Sequence, residues 1–387
     1  MRTLYAAFLL AACLAVGGAG ALLGLCGPFT DVTDPSFCGN LLEVYDLAIT
    51  TGTTATTYSP GDPVNRLQMA IFLSRSADRM LQRASRRAAL SQFWTTGIAS
   101  GLSATTVGTG PYLVESDGRD LWVANTQDST VSRVHGSDGR LLETWTGATQ
   151  ATGVLSALGR IFVTGNVGGP GRLYRIDPTA SAGVVTTVVT NLGGVTGGNP
   201  WGIGYDGSKI FTANGSGSVS IVTPGVSPPW PVSTVTTGFI SPRGGFAYDG
   251  AHLWVTDIVG TLLKLDNGAG ILQTVTVGSY PLYPVFDGEN IWVPNAFDNS
   301  LSVVRASSGA VLATLTGNGI SGPQVTAFDG ERVLVTTNNN VVSLWKAADL
   351  SPLGYVSTGV NTSPTGACSD GVSFWITLNT ANQLARF

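Results

Sequence analysis

DGENIWVPN, residues 287–295, is written six more times along the chain. Variants begin at 117 (DGRDLWVAN), 206 (DGSKIFTAN), 249 (DGAHLWVTD), 329 (DGERVLVTT) and 370 (DGVSFWITL), with a degenerate copy, LGRIFVTGN, at 158. The glycine of the phrase falls at 118, 159, 207, 250, 288, 330 and 371, so the spacings are 41, 48, 43, 38, 42 and 41 residues. A period near 40 with no helical pattern inside it predicts propeller blades of four strands each.

The fifth unit shows the expected parse. Pro281 to Phe286 reads as the innermost strand and Asp287-Gly288 as a two-residue hairpin turn with positive φ at both positions. Asn290 to Pro294 is a second strand, rich in β-branched and aromatic residues. Leu301 to Arg305 alternates as a third strand, and Ala310 to Thr316 is the outer one. The seventh unit stops at Phe387 after its third strand, so its outer strand must come from elsewhere. SATTVGTG, residues 103–110, matches the ends of the other units and can latch the ring shut, removing an exposed edge. The predicted fold class is therefore mainly β: a seven-bladed β-propeller with N-terminal-strand closure, over residues 103–387.

Composition bounds the function. Charged residues are 11% of the chain and Gly numbers 51, a balance typical of exported β-rich proteins rather than cytosolic enzymes. A net charge of −4 argues against nucleic acid as a partner, because phosphates need concentrated Lys and Arg. Arg2, the apolar run Leu4 to Val16 and Ala19-Gly20-Ala21 read as a signal peptide over residues 1–21. The run is short and Gly-rich for a spanning helix. Lipidation at Cys13, which ends LAAC, stays open beside cleavage after Ala21. The expected localisation is exported: cell surface, periplasm or secreted, with no transmembrane segment after signal removal. Export permits a disulfide, and Cys26 with Cys38 would staple the start of the mature chain, while Cys368 sits in an apolar strand as a small hydrophobe.

The DGxxLWVxN phrases, each followed by S-[VL]-x-x-[VL] and a Gly turn, resemble the YncE-like and YVTN-repeat propellers of exported bacterial proteins, and more loosely the NHL propellers. The resemblance implies the fold over residues 103–387 and leaves function open, since propellers host many unrelated activities.

Ahead of the ring, residues 22–75 resemble an S-layer homology (SLH) module. Phe29-Thr30-Asp31-Val32 matches the opening F-x-D-V, Leu41 to Ile49 the first helix, and Tyr58 to Met69 the segment F-x-P-x-x-x-[IV]-[TS]-R-x-[EQ]-[MA]. Asn65 stands for the usual Thr and Gln68 for Glu, and only one copy is present. Asp62 is placed to cap a helix starting at Pro63, with Val64, Leu67, Met69, Ala70, Ile71, Phe72 and Leu73 giving its apolar surface. The resemblance implies attachment to anionic cell-wall polymer, with Arg66 as the carried-over contact. A helical spacer is expected over residues 76–102, with Arg75, Arg79, Arg83, Arg86 and Arg87 on one side, where a solvated face is the simpler reading.

The chain's two histidines, His135 and His252, fall in different units, neither beside a second candidate base for catalysis. His-x-x-x-His, Cys-x-x-Cys, G-x-S-x-G and Walker patterns are absent. No catalytic residue and no cofactor is expected, with calcium or magnesium in the central channel left open. The streptogramin lyase propeller, similar in repeat style, uses a His and Glu set with magnesium, whereas the strands after the turns here end in Asn, Asp, Thr or Leu. A lactonase-type calcium ring could draw on Asn125, Asn214, Asp257 and Asn295, which serve equally as turn residues. Over the channel, the loops entering the innermost strands carry Pro111, Pro200, Pro242, Pro281, Pro323 and Pro364, followed by Tyr112, Trp201, Arg243, Leu282, Gln324 and Thr365. Aromatics and an Arg there suit a carbohydrate or peptide ligand, or a surface protein. The expected function is an exported envelope binding or scaffold protein, the alternative being a metal-dependent lyase or lactonase.

Overall fold

The computed structural model describes residue 26 and residues 28–46, 49–83, 103–166, 168–194 and 198–387. The expected signal peptide, Cys13, Arg86 and Arg87 lie outside them, as do the side chains of Arg79 and Arg83. The chain divides into two compact units, residues 1–89 and 90–387.

In the second unit, seven four-stranded antiparallel sheets follow one another, a seven-bladed propeller. Six are continuous in sequence, each running from innermost to outermost strand. The seventh is composite: Pro364–Ser369, Phe374–Leu378 and Gln383–Arg386 are completed by Ser103–Thr106. Ser103 pairs with Arg386 and Thr106 with Gln383, so the N-terminal strand closes the ring as expected.

The repeated phrase explains itself in these blades. In the fifth, Asp287 Oδ1 accepts from the Glu289 and Asn290 amides at 2.8 and 2.6 Å, and Oδ2 accepts from Trp292 Nε1 at 2.7 Å. Phe286 pairs with Ile291, so the turn holds four residues rather than two. Only Gly288 has positive φ, at 101°. The carboxylate satisfies the turn's N–H groups itself, which removes the need for positive φ at the Asp. Trp122, Trp254, Trp292 and Trp375, one per blade and fully buried, fill the spaces between neighbouring sheets. Three carry a third-strand cation on the ring: Arg133, Lys264 and Arg386, at 5.0, 5.0 and 5.7 Å from the centroids.

The fifth innermost strand departs from expectation. Only Val285–Phe286 pairs as a strand, Pro281 bridges Asn295, and Tyr283 pairs in parallel with Val325 of the next blade. Pro281 and Pro284 supply no N–H donors; Leu282 still donates to Pro294 of its own blade, while Tyr283 exchanges bonds with Gln324 and Thr326 of the next. Threonines at the ends of second strands make similar links: Thr256, Thr336 and Thr377 donate to the carbonyls of Leu282, Thr365 and Tyr112 in the following blade.

In the first unit, Cys26 is disulfide-bonded to Cys38. Helix α1 spans Cys38–Asp46 and α2 spans Arg66–Arg83. Phe29 is buried between Tyr45 and Tyr58, and Asp31 accepts from the Tyr58 and Ser59 amides at 2.8 and 2.6 Å. These bonds hold the Asp31 carboxyl below its ordinary value. The cap of α2 is Asn65, not Asp62. Asn65 Oδ1 accepts from the Gln68 amide and Gln68 Oε1 from the Asn65 amide, each at 2.9 Å, a reciprocal capping box. Asn65 and Gln68 therefore do the work of a Thr and Glu pair. Val64, Leu67, Met69, Ile71 and Leu73 are exposed.

Candidate functional site

Four innermost strands begin with a proline paired to the end of the second strand: Pro111 with Asn125, Pro200 with Asn214, Pro323 with Thr337 and Pro364 with Leu378. At a strand's first residue a missing N–H costs the ladder little. The register then slips immediately after each proline, a bulge that takes the next residue out of regular pairing. Tyr112, Trp201, Gln324 and Thr365 occupy those bulges.

Three of the candidate residues converge. The rings of Tyr112 and Trp201 lie 5.8 Å apart although they come from the first and third blades. Between them in sequence, the second blade places only Thr152 and Gly153. A Cβ at Gly153 would stand 2.7 Å from Thr164 Oγ1 and 3.1 Å from the Trp201 carbonyl. Arg243 lays its guanidinium 4.6 Å from the Trp201 ring and donates through Nη1 to the Tyr280 hydroxyl at 3.4 Å. Tyr280 stacks on Phe297 at 4.3 Å, and Tyr283 meets Tyr112 edge to face at 6.4 Å. Burial raises the phenol pKa of Tyr112, and that of Tyr283 further. Gln324 stands apart from this group, its amide bonded to Asn338.

Beside Tyr112 and Trp201 lies a hollow of about 210 Å³, walled also by Thr126, Gln127, Gln150, Thr152, Asn166, Asn199 and Asn379. None of its lining residues is charged. Asn166 bonds to Asn199, and Asn379 Nδ2 donates to the Pro111 carbonyl at 2.9 Å. The side-chain amides of the exposed Gln127 and Gln150 bond to no described residue.

Asn125, Asn214, Asp257 and Asn295 are buried within their separate blades. Asn125 Nδ2 donates to Thr130 and Ser132, Asn214 Nδ2 to Ser218 and Ser220, and Asn295 Nδ2 to Ser300 and Ser302. Asp257 accepts from the Ile240 and Ser241 amides at 2.8 and 2.9 Å, pinning the loop that leads to Arg243. Arg66, at the start of α2, is exposed.

A second cavity, about 280 Å³, is the central channel, lined by residues from all seven blades. Glu115 lines it and makes no hydrogen bond or ion pair with a described residue; its pKa is pushed up to about 7 by burial alone. Sequence reasoning missed Glu115, Tyr280 and Tyr283. For Glu115 a signal existed. It stands three residues before the glycine of its unit, where the other units hold Ser156, Gly204, Ala247, Val285, Ala327 and Cys368, none of them charged at neutral pH.

The histidines stay in separate blades. His135 Nδ1 lies 3.0 Å from Asp138, and His252 Nδ1 3.8 Å from Asp249. Among the described residues no group of three His, Cys, Asp or Glu could hold a metal ion, and no helix is long and apolar enough to cross a membrane.

No protein-family model and no curated protein matches the chain. Among solved structures it is similar to virginiamycin B lyase from Staphylococcus aureus, with TM-score 0.63 and 15% identity over 74% of this chain and 98% of that one. It is also similar to the WD40 β-propeller domain of Doa1 (TM-score 0.60, 13% identity, 74% and 95% covered). Hydrazine synthase of Kuenenia stuttgartiensis is a further match, at TM-score 0.60, 16% identity and 75% and 99% coverage. At such identities the likeness establishes the propeller fold alone.

Proposed function

We propose that this is an exported binding protein whose propeller presents a site for a neutral saccharide in the Tyr112–Trp201 hollow. One observation carries the reading: two aromatic rings 5.8 Å apart border a hollow otherwise lined by uncharged amides, hydroxyls and small residues. Apolar ring faces suit the C–H faces of a sugar, and amides that donate and accept suit its hydroxyls. Arg243 braces Trp201 from outside the hollow. Asp257 pins the loop that leads to Arg243, while Asn125, Asn214 and Asn295 brace their own blades.

The first unit serves in this reading as an SLH-like module that attaches the protein to cell-wall polymer, with Arg66 at the contact. The lyase alternative rests on fold likeness, and the two histidines bring no carboxylate-and-histidine set to the channel mouth. Binding of the mature protein to a panel of neutral oligosaccharides, and its co-sedimentation with purified cell-wall sacculi, tests the proposal. Trp201→Ala should lose the oligosaccharide by tenfold or more. Deletion of residues 27–90 should lose the sacculi while leaving oligosaccharide binding intact. Absence of any oligosaccharide binding, or equal binding by Trp201→Ala, would sink the saccharide reading.

A further inference from the structure

The central channel holds a carboxylate with no hydrogen-bond or ion-pair partner among the described residues. Glu115 lines it, and no Lys, Arg or His is among the lining residues. Around it at the same position in the other blades stand Ser156, Gly204, Ala247, Val285, Ala327 and Cys368, which supply neither a countercharge nor a second acid. Two other titratable groups line the channel. Burial raises the Cys368 thiol pKa well above its ordinary value, with Glu115 and Asp370 adding to the effect, and raises the Tyr283 phenol likewise. Both therefore stay neutral, and Asp370 is bonded to its own turn and to Trp375. The channel carries one acid.

An unpaired carboxylate walled by Leu113, Ile203, Phe246 and Phe328 is costly when ionised. Two events relieve it: uptake of a proton, or arrival of a cation. A calcium or magnesium ion prefers several carboxylate ligands, and the described lining offers one carboxylate, beside the neutral hydroxyls of Tyr283, Thr326 and Ser369. An organic cation suits both features, its charge on Glu115 and its apolar part on the walls, with the two phenylalanine rings able to face the charge. We propose that the channel is a binding site for a small primary ammonium on an apolar stem, held by an ion pair to Glu115. The site is separate from the Tyr112–Trp201 hollow, and does not rest on the saccharide reading.

Proton and ligand then compete for the same carboxylate. With the Glu115 pKa near 7, affinity should be constant well above that pH and fall about tenfold for each unit below it. Calorimetric titration with cyclohexylammonium chloride at pH 8 and pH 6, beside the isosteric cyclohexanol, tests the site on the full protein. The expected result is binding of the ammonium at pH 8, roughly tenfold weaker at pH 6, with cyclohexanol at least tenfold weaker than the ammonium at pH 8. Glu115→Gln should abolish the preference for the ammonium, and its melting curve shows that the variant is folded. The wild-type pH profile tests the same claim without any variant. No binding of the ammonium at millimolar concentration and pH 8, equal binding of cyclohexanol, a flat pH profile, or full binding by a folded Glu115→Gln would each overturn the proposal.

Discussion

Trp292 donates its indole N–H to Asp287 Oδ2 across 2.7 Å, five residues back and on the far side of a turn. The same bond joins Trp122 to Asp117, Trp254 to Asp249 and Trp375 to Asp370, at 2.8, 2.8 and 2.7 Å. One carboxylate thus closes a turn with one oxygen and orients a core tryptophan with the other. The sixth blade keeps the device without a tryptophan, Arg332 Nε donating to Asp329 Oδ2 at 2.7 Å. In the third, Phe211 stands at the tryptophan position and has no N–H to give.

Removing that carboxylate should therefore cost more where a tryptophan depends on it. Asp287→Ala leaves two turn amides and a buried indole N–H without their acceptor, an expected loss of about 3 kcal/mol. Asp206→Ala, which strands turn amides but no indole, should lose roughly half as much. Denaturant unfolding of Asp287→Ala, Trp292→Phe and the double variant completes a double-mutant cycle for the indole bond, with Asp206→Ala as the comparison.

Closure of the ring predicts a sharp boundary in truncations. A chain beginning at Ser103 keeps the composite seventh blade, whereas one beginning at Gly108 loses the strand paired to Gln383–Arg386 and the buried Val107. The first should match the propeller of the full protein. The second should melt at least about 10 °C lower and aggregate through its open edge. Scanning calorimetry with light scattering separates the two.

Gly215 makes room for the bracing of Trp201. A Cβ there would stand 3.1 Å from Arg243 Cγ and 3.2 Å from the Trp201 indole. Gly215→Val should push Arg243 off the ring and weaken oligosaccharide binding severalfold while leaving the melting temperature within a few degrees. Arg243→Ala should weaken binding in the same direction. Titration calorimetry reads both.

Asp31 and Glu115, shifted in opposite directions, predict opposite pH trends. Asp31 has a lowered pKa in the folded chain, so its contribution is present above the ordinary value of 3.8 and is lost as pH falls through the lowered one. Glu115 has a raised pKa, so the folded state binds its proton more tightly than the unfolded chain, and stability declines as pH rises from 4.5 to about 7. Glu115→Gln should remove that decline. Relative to wild type the variant should gain up to about 3 kcal/mol at pH 8, less where channel water screens the charge. Urea midpoints between pH 4 and pH 8 show it, and parallel curves for the two proteins would contradict it.

The repeat made the architecture legible because a blade is a local object. Its four strands are consecutive, their alternation has period two, and Asp-Gly marks the turn, so blade number, strand order and the borrowed closing strand follow from residue patterns within about forty positions. The turn itself was misjudged in detail, since an Asp side chain serving as acceptor leaves no mark that distinguishes a four-residue turn from a two-residue one. The channel mouth was legible as a list of positions after prolines, because each proline sits at the same point of its blade.

Which of those positions meet was decided only by the ring. Tyr112 reaches Trp201 across an intervening blade because Thr152 and Gly153 leave the space, and Tyr283 joins them because prolines detach its strand toward Val325. Asn125, Asn214 and Asn295 share a sequence position that suggests a ring of ligands, yet closure buries each against the serines of its own third strand. Sequence by itself determined the blades and the latch, matters of near neighbours and of residue chemistry, whereas it put the cap of α2 at Asp62 and the structure puts it at Asn65. Tertiary structure decided the hollow, the stacked arginine and the solitary acid of the channel, because each depends on the distance between residues forty to a hundred and seventy positions apart, which closure of the ring alone sets.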